Sequence, residues 1–257
     1  VWNIMGNNYN PRIVTDGLVW CTDALATSSY PGSGTTWTNI GTGGGSVGLS
    51  GGASKTSDYG TAISFDGTDD YGEALSMGTV FPDGDISVEA VFNRTFTSSA
   101  GERRIYYIYN GVQFYFRGDW AGNACYLLRA VNGSNHYGGS AWSGTTAVAL
   151  SSGNVGAPGL RSISFTMESS STTGVGRGYI NGELKATDNL YVNNAGGTND
   201  HGGFKAVSSS TSGFFATTSS SGGKADCDIG NLRIYNRVLT TAEVQQNFNA
   251  QKSRFGI

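Results

Sequence analysis

Charged residues are scarce in this sequence, and the basic ones are scattered. Only 14% of the 257 residues are Asp, Glu, Lys or Arg, and the formal net charge is −3. The 16 Lys and Arg residues form no basic stripe, so a nucleic-acid partner is not expected. The apolar runs are far shorter than the roughly 20 residues that span a bilayer. Neither a membrane segment nor a signal sequence is therefore expected.

Proline and cysteine are rare as well. With four prolines and no charged linker, nothing in the sequence divides it. The chain is therefore predicted to form a single domain, 1–257, with an N-terminal extension over about residues 1–15. The three cysteines lack metal-ligand spacing, which favours buried, unpaired thiols. If the first and last strands are neighbours, Cys21 and Cys227 could instead form a disulfide, which would indicate an oxidising setting.

Alternation of apolar with other side chains is the most frequent pattern that is present. It occupies the runs 86–92 and 163–167, and it predicts strands with one face buried. Two Asn-Gly pairs, Asn110–Gly111 and Asn181–Gly182, lie between strand-like runs. Both residue types tolerate the positive φ of a type I′ turn, so each pair predicts an antiparallel hairpin.

Four segments are rich in Gly, Ser, Thr and Asn and contain few apolar side chains. They are predicted to be long surface loops, and they span 41–53, 132–157, 192–203 and 207–224. Loops of this length often carry function, although solvated connections are at least as common.

One short helix is predicted, over about residues 241–250. Thr240 and Glu243 form a capping box, and Leu239 and Val244 have the spacing of a hydrophobic staple. Val244 and Phe248 then share one helix face at i, i+4 spacing. That face is expected to pack on the strands.

Segments from most of the chain resemble one family of β-sandwich proteins. They are Asp16-Gly-Leu-Val-Trp-Cys-Thr-Asp23 with Tyr30-Pro-Gly-Ser-Gly-Thr-Thr-Trp37, Ile63-Ser-Phe-Asp-Gly-Thr-Asp-Asp-Tyr71 with Gly178-Tyr-Ile-Asn-Gly-Glu-Leu184, and Ile229-Gly-Asn-Leu-Arg-Ile-Tyr-Asn-Arg-Val-Leu239. Together they are similar to laminin-G-like, concanavalin A-like jelly rolls. The last segment also resembles the end of such modules in structural proteins of tailed phages and marine viruses. The stretch 95–160 matches this family only by its general residue pattern.

The resemblance implies an all-β fold, an antiparallel two-sheet jelly-roll sandwich (concanavalin A-like) with a short C-terminal helix. It also implies that the first strand-like run, 17–24, lies beside the last, 228–236. This pairing would protect an otherwise exposed sheet edge.

Catalysis is not expected, although the same fold includes glycoside hydrolases. Retaining glycosidases need two carboxylates roughly 5 Å apart, and in this fold they come from closely spaced acids on one strand. No two of the six glutamates have that spacing, and Glu89 has no acid on its strand nearer than Asp85. A serine nucleophile would need a base that is oriented by a third group. His136 and His201 lie in Gly-rich segments that supply no recognisable arrangement of this kind.

Asp66, Asp69 and Asp70 are candidate calcium ligands. Calcium prefers several hard oxygen ligands, and carboxylates on a tight turn supply them together with backbone carbonyls. The alternative is a plain turn in which Asp66–Gly67 ends a strand and the acids face water. Calcium is the one cofactor that the sequence suggests.

Trp120, Tyr137 and Trp142 are candidate glycan-binding residues in the loop-rich stretch 117–143. An aromatic ring can stack on the apolar face of a sugar while Asn and Asp side chains bond its hydroxyls. The alternative is core packing, which is the prediction for Trp20 and Trp37 because these residues lie closer to strands.

These observations predict a non-catalytic virion structural or accessory protein, either a capsid decoration protein or a tail-associated module. Its expected partners are other virion proteins, further copies of itself and a cell-surface glycan. A secreted, extracellular carbohydrate-binding lectin is the alternative, and a glycoside hydrolase ranks third.

Overall fold

A computed structural model describes most of the chain. It describes residues 11–74, 85–95, 102–108, 112–120, 123–132, 135–136, 147–150, 159–168, 174–190, 213–215, 224 and 226–257. Among these residues, no helix is both long enough and apolar enough to cross a membrane.

The described strands form two antiparallel sheets. In chain order the elements are β1 (Leu18–Asp23), β2 (Thr36–Thr38), β3 (Ser46–Ser50), β4 (Ser54–Thr56), β5 (Ala62–Asp66), β6 (Tyr71–Ala74), β7 (Ile86–Arg94), β8 (Glu102–Ile108), β9 (Val112–Trp120), β10 (Asn123–Asn132), β11 (Asn135–His136), β12 (Ala147–Leu150), β13 (Gly159–Glu168), β14 (Gly174–Ile180), β15 (Glu183–Leu190), β16 (Gly213–Phe215), β17 (Asp226–Tyr235) and the helix α1 (Thr241–Phe255). Sheet I has the order β15-β14-β13-β7-β17-β5-β4, with β1 also paired to β17. Sheet II has the order β11-β10-β9-β8-β16-β6-β3-β2, with β12 also paired to β10. The predicted all-β, two-sheet sandwich with a C-terminal helix is confirmed.

Apolar side chains from both sheets form one core. Core residues no more than 1% exposed include Phe65, Val88, Phe92, Ile163, Phe165 and Ile234 from sheet I and Trp37, Val47, Ile105, Tyr106 and Phe215 from sheet II. The Phe215 ring lies 5.0 Å from that of Tyr106 and 5.8 Å from that of Trp37. Trp20 is also buried in this core, so the structural role predicted for Trp20 and Trp37 is confirmed.

The first and last strands lie side by side in sheet I. β1 is antiparallel to β17, from Leu18 opposite Tyr235 to Asp23 opposite Asn231, as predicted. Residues 11–17 precede β1 without forming a strand, and residues 1–10 lie outside the described part. The single-domain assignment stays a prediction.

The cysteines of these two strands do not form a disulfide. Cys21 and Cys227 are free and buried, which confirms the prediction of buried, unpaired thiols for these two residues. The neighbouring strands could not bring them together because Cys21 lies opposite Arg233, six residues along β17 from Cys227. That offset is about 20 Å. The side chain of Cys125 lies outside the described part.

Three of the four predicted loops contain a strand, which corrects the sequence analysis. β3, β12 and β16 lie within the segments 41–53, 132–157 and 207–224. Their described buried residues are few, namely Val47, Leu49, Leu150 and Phe215. A short strand with one or two inward side chains produces little periodicity. The Gly and Ser residues around it therefore led to the prediction of a loop. The segment 192–203 lies outside the described residues.

β7 and β13 form where alternation predicted them, but both of their faces are buried. The apolar residues point into the core, whereas Ser87, Glu89, Ser162 and Ser164 point the other way and are also inaccessible. The reason is that α1 lies over this outer face and contacts sheet I there. The prediction of one buried face was therefore wrong for these strands.

The hairpin predicted at Asn181–Gly182 is confirmed. Asn181 has φ 51° and Gly182 has φ 79°, which are type I′ values, and the turn joins β14 to β15. β8 and β9 also pair antiparallel on either side of Asn110–Gly111, although that turn lies outside the described residues.

The helix begins as predicted and ends later. The Thr240 hydroxyl accepts from the Glu243 NH (3.2 Å), and the Glu243 carboxylate accepts from the Thr240 NH (2.8 Å). Val244 is buried and Phe248 is half-buried, but α1 continues to Phe255, five residues past the predicted end. The buried stripe of the helix is Val244, Asn247, Gln251 and Phe255. Because Asn247 and Gln251 interrupt the apolar pattern of this face, the sequence does not show how far the buried stripe extends.

The close approach of β1 to the chain after β2 requires glycine at position 41. A Cβ on Gly41 would lie 2.8 Å from the Val19 carbonyl, which is rigid backbone. Gly41→Ala is expected to lower the free energy of unfolding in urea by about 1–3 kcal/mol. Gly48→Ala is the matched control, because its Cβ would lie 3.7 Å from the nearest atom. Equal losses for both variants would contradict this packing.

Candidate functional site

A turn with three aspartates carries the chain from one sheet to the other. β5 of sheet I ends at Asp66, and β6 of sheet II begins at Tyr71. The Asp66 carboxylate accepts hydrogen bonds from the main-chain NH groups of Thr68 (2.7 Å) and Asp69 (3.3 Å). The Asp70 carboxylate accepts from the NH of Asp66 (2.9 Å). Two of the three carboxylates therefore stabilise the turn through hydrogen bonds to its own main chain.

The three carboxylates converge closely enough to surround one cation. One oxygen from each lies within 4.8 Å of the others, with Asp66 and Asp69 exposed and Asp70 buried. Oxygens on opposite sides of a calcium ion are roughly 4.6–5.2 Å apart, because each Ca–O bond is about 2.3–2.6 Å. The residues predicted as ligands thus have suitable geometry, and calcium binding stays a prediction.

The acids of this turn differ in their electrostatic environment. The hydrogen bond from the Thr68 NH lowers the pKa of Asp66, whereas burial raises the pKa of Asp70. Lys224 lies near both and favours their ionised forms. Asp226, the strand partner of Asp66, is exposed at the same edge.

Glycines let neighbouring backbone pack against the turn. A Cβ on Gly51, which has φ +82°, would lie 2.3 Å from the carbonyl oxygen of Asp69. A Cβ on Gly67, which has φ +73°, would lie 2.9 Å from the Cβ of Asp226. The end of β3 and the start of β17 therefore hold the acidic turn from two sides.

The outer face of β2, β3 and β6 continues from this turn. Its outward residues, called the outer patch below, are Thr36, Thr38, Ser46, Gly48, Ser50, Tyr71 and Glu73, all exposed or half-buried. The register places Gly48 between Thr36 and Glu73 and places Ser50 beside Tyr71. The patch therefore combines hydroxyl groups, one aromatic ring and one carboxylate, which are groups that can bind a polyhydroxylated ligand.

The structure does not test the three aromatic residues predicted to bind glycan. β9 ends at Trp120, whose side chain lies outside the described part, and so do Tyr137 and Trp142. The backbone of Trp120 pairs with Asn123, whereas His136 of β11 pairs with Val131 at the other end of β10. Asn123 and Val131 are eight residues apart along β10, a distance of about 26 Å. A ligand that contacts both ends must therefore be an extended chain.

Glu89, the acid considered for glycoside hydrolysis, lies beneath α1. It is 2% exposed, and burial raises its pKa to about 7. Its carboxyl group accepts from the Ser164 hydroxyl (3.2 Å) and from the Asn247 side-chain amide (2.7 Å). The amino-acid sequence did not predict this buried cluster. Its available signal was the pair of amides, Asn247 and Gln251, in line with Val244 on one helix face.

The fold is shared with bacterial toxin domains. No protein-family model matches the sequence, and no curated protein shows significant similarity to it. Similar solved structures include the receptor-binding domain of botulinum neurotoxin C/D mosaic serotype (TM-score 0.62, 13% identity, 93% of this chain and 52% of that chain). Another is the binding domain of botulinum neurotoxin DC in complex with rat synaptotagmin II (TM-score 0.61, 11% identity, 92% and 52%).

A third similar structure concerns botulinum neurotoxin type C, whose cell entry depends on interaction with two ganglioside molecules (TM-score 0.61, 12% identity, 92% and 52%). At this identity the likeness shows a β-sandwich fold of the kind found in receptor-binding domains. The chain spans about half the length of the toxin domains. Their ligands therefore do not by themselves locate a site here.

Calcium binding at the acidic turn is tested by thermal melting. Millimolar calcium is expected to raise the melting temperature, because a ligand of the folded state stabilises it by about 1.4 kcal/mol at tenfold Kd. Asp69→Asn keeps the side-chain shape but removes one charged ligand, so it should reduce the shift. Glu168→Gln, at an exposed acid on β13, should keep it. An unchanged melting temperature in the wild type would dismiss the calcium site.

Proposed function

We propose that this chain is a non-catalytic adhesion module that binds glycans. The observation that carries the proposal is the outer patch, a hydroxyl-rich sheet face that continues from the acidic turn. The toxin domains that share the fold support a role in receptor binding.

The two sheets differ in what they can offer to a ligand. On sheet I, α1 covers the outward side chains of β7 and β13, and their polar groups bond to each other and to the helix. On sheet II, the outward residues of β2, β3 and β6 are accessible. We therefore place the glycan on the outer patch, with Tyr71 as the stacking ring and Asp69 or a bound calcium ion contacting hydroxyls.

The environments of Glu89 and of the acidic turn argue against hydrolysis at these acids. Glu89 is enclosed beneath α1 and cannot contact a substrate without movement of the helix. The carboxylates of Asp66 and Asp70 converge with that of Asp69, but both already accept main-chain hydrogen bonds in the turn. Neither arrangement provides a carboxylate pair placed on the two sides of a glycosidic bond.

Glycan binding is tested on an array with the purified chain. Tyr71→Ala is expected to weaken binding of the best oligosaccharide by about tenfold or more, because loss of a stacking ring costs roughly 1–2 kcal/mol. Trp120→Ala and Trp142→Ala test the residues suggested by sequence. Tyr59→Ala is the matched control, since Tyr59 is exposed on a different turn. Absence of binding by the wild type, or equal loss in all variants, would refute this site.

We further propose that the module is carried on a virion as a capsid decoration or tail-associated protein. The support is the resemblance of Ile229–Leu239 and the following helix to the ends of laminin-G-like modules in phage structural proteins. Its partners would be other virion proteins and further copies of this chain. The module would present the outer patch to a cell-surface glycan.

The virion location is tested by mass spectrometry of purified particles. The chain is expected at a fixed copy number per particle, and the isolated protein is expected to be oligomeric by light scattering. Major capsid protein in the same sample is the internal standard. A chain that is absent from particles and monomeric outside the cell would instead identify a secreted lectin.

A further inference from the structure

Polar residues form a row across sheet I beneath α1. The register places Cys21 opposite Arg233, Arg233 opposite Glu89, and Glu89 opposite Ser164. All four are at most 3% exposed. A helix usually docks on a sheet through apolar side chains, but here the middle of the helix meets a carboxyl group and a guanidinium group.

Asn247 of α1 is the centre of these contacts. Its amide NH₂ donates to the Glu89 carboxyl (2.7 Å) and to the Tyr235 hydroxyl (3.0 Å). Its carbonyl accepts from the Val14 NH (2.7 Å), and Tyr235 donates to the Val14 carbonyl (3.1 Å). One side chain therefore joins the helix, two strands of sheet I and the segment 11–17.

Further contacts fasten the C-terminal half of the helix. The Gln251 carbonyl accepts from Asn231 and Arg233, both at 2.9 Å, and Arg254 forms an ion pair with Asp23 at 2.7 Å. Together α1 and the segment 11–17 form a layer, called the terminal layer below, that covers the polar row.

We propose that Glu89 makes the docking of the terminal layer on sheet I dependent on pH, so that the layer is held tightly when this carboxyl is protonated and loosens when it ionises.

Burial favours the protonated form of Glu89, whose side chain is 2% exposed beneath α1. Its two hydrogen bonds act in the other direction, because the Ser164 hydroxyl and the Asn247 amide both donate to the carboxyl group and thereby favour its ionised form. An ionised carboxylate would be a buried charge, which is costly where water is excluded. The charge of Arg233 and the hydrogen bonds from Asn247 and Ser164 oppose this cost, whereas Glu243 adds to it. Burial remains the largest effect and raises the pKa of Glu89 from 4.5 to about 7.

The direction of the effect follows from this shift. Because the folded state holds the proton more tightly than the unfolded state, the stabilisation is complete below about pH 4.5. It is lost as the pH rises through about 7. If the whole shift is realised, the docking equilibrium falls by about 300-fold, since each pKa unit is tenfold.

The other ionisable groups around Glu89 titrate outside this interval. Burial raises the pKa of Cys21 above its ordinary value of 9.0 and also raises the pKa of Tyr235. The Arg237 hydrogen bond holds the pKa of Glu243 at about 2. Burial opposes ionisation of Asp23, but the hydrogen bond and charge of Arg254 outweigh it and lower its pKa. The guanidinium groups of Arg233 and Arg237 stay charged throughout.

Amide hydrogen exchange tests the proposal on the intact chain, with rates corrected for the intrinsic effect of pH. Protection of the amides 241–255 is expected to fall by between about 10-fold and 70-fold from pH 5 to pH 8, because at pH 5 part of the full linkage effect is already lost. Protection of β7 should fall much less. Glu89→Gln, which mimics the neutral carboxyl, should remove the dependence. Glu183→Gln, at an exposed acid on the same sheet, should retain it.

Two results would overturn the proposal. One is equal protection of the helix at both pH values in the wild type, and the other is an unchanged pH dependence in Glu89→Gln. If that variant does not fold, carbon-detected NMR titration of the wild-type Glu89 carboxyl decides instead. A midpoint near 7 supports the proposal, whereas one near 4.5 contradicts it.

Discussion

Strand β17 is the element on which the rest of the structure depends. One of its edges pairs with β7, and its other edge is divided between β5, along Asp226–Ile229, and β1, along Asn231–Tyr235. The register shifts at Gly230, between these two partners. A Cβ there would lie 2.5 Å from the Phe255 ring, so glycine at this irregularity also admits the end of the helix. Sheet I cannot be completed until the last strand is present, and such distant pairings generally slow folding.

Local signals in the sequence predicted local structure well. The Asn181–Gly182 turn and the Thr240–Glu243 capping box require nothing beyond a few neighbouring residues, and both have the predicted geometry. β16 is different, because Phe215 becomes a core residue only where β6 and β8 flank it. The burial of Glu89 likewise depends on a helix that follows it by about 150 residues in sequence. The alternation within β7 could not show that a helix covers the outer face of this strand.

In the candidate site too, one part could be predicted from neighbouring residues and another part could not. The three aspartates fall within five residues of sequence, so their convergence on one turn could be predicted, and their distances agree with it. The outer patch could not be predicted. Its central strand, β3, lies in a Gly- and Ser-rich segment, and its outward residues are hydroxyls and glycine, which individually suggest a loop. Those residues become a surface when β2 and β6 align them.

The two sheets have taken different roles through the same alternation of inward and outward side chains. On sheet I the outward polar groups are used internally to hold the terminal layer, with Glu89 and Arg233 enclosed beneath it. On sheet II, the outward groups of β2, β3 and β6 are left to solvent, beside the acidic turn that links the sheets. Because docking of the helix and contact with a ligand use opposite outer faces of the sandwich, loosening of the terminal layer need not disturb the outer patch. Coupling between them would pass through the core or through the connections between the sheets, which include Ser50–Ser54 and the Asp66–Tyr71 turn.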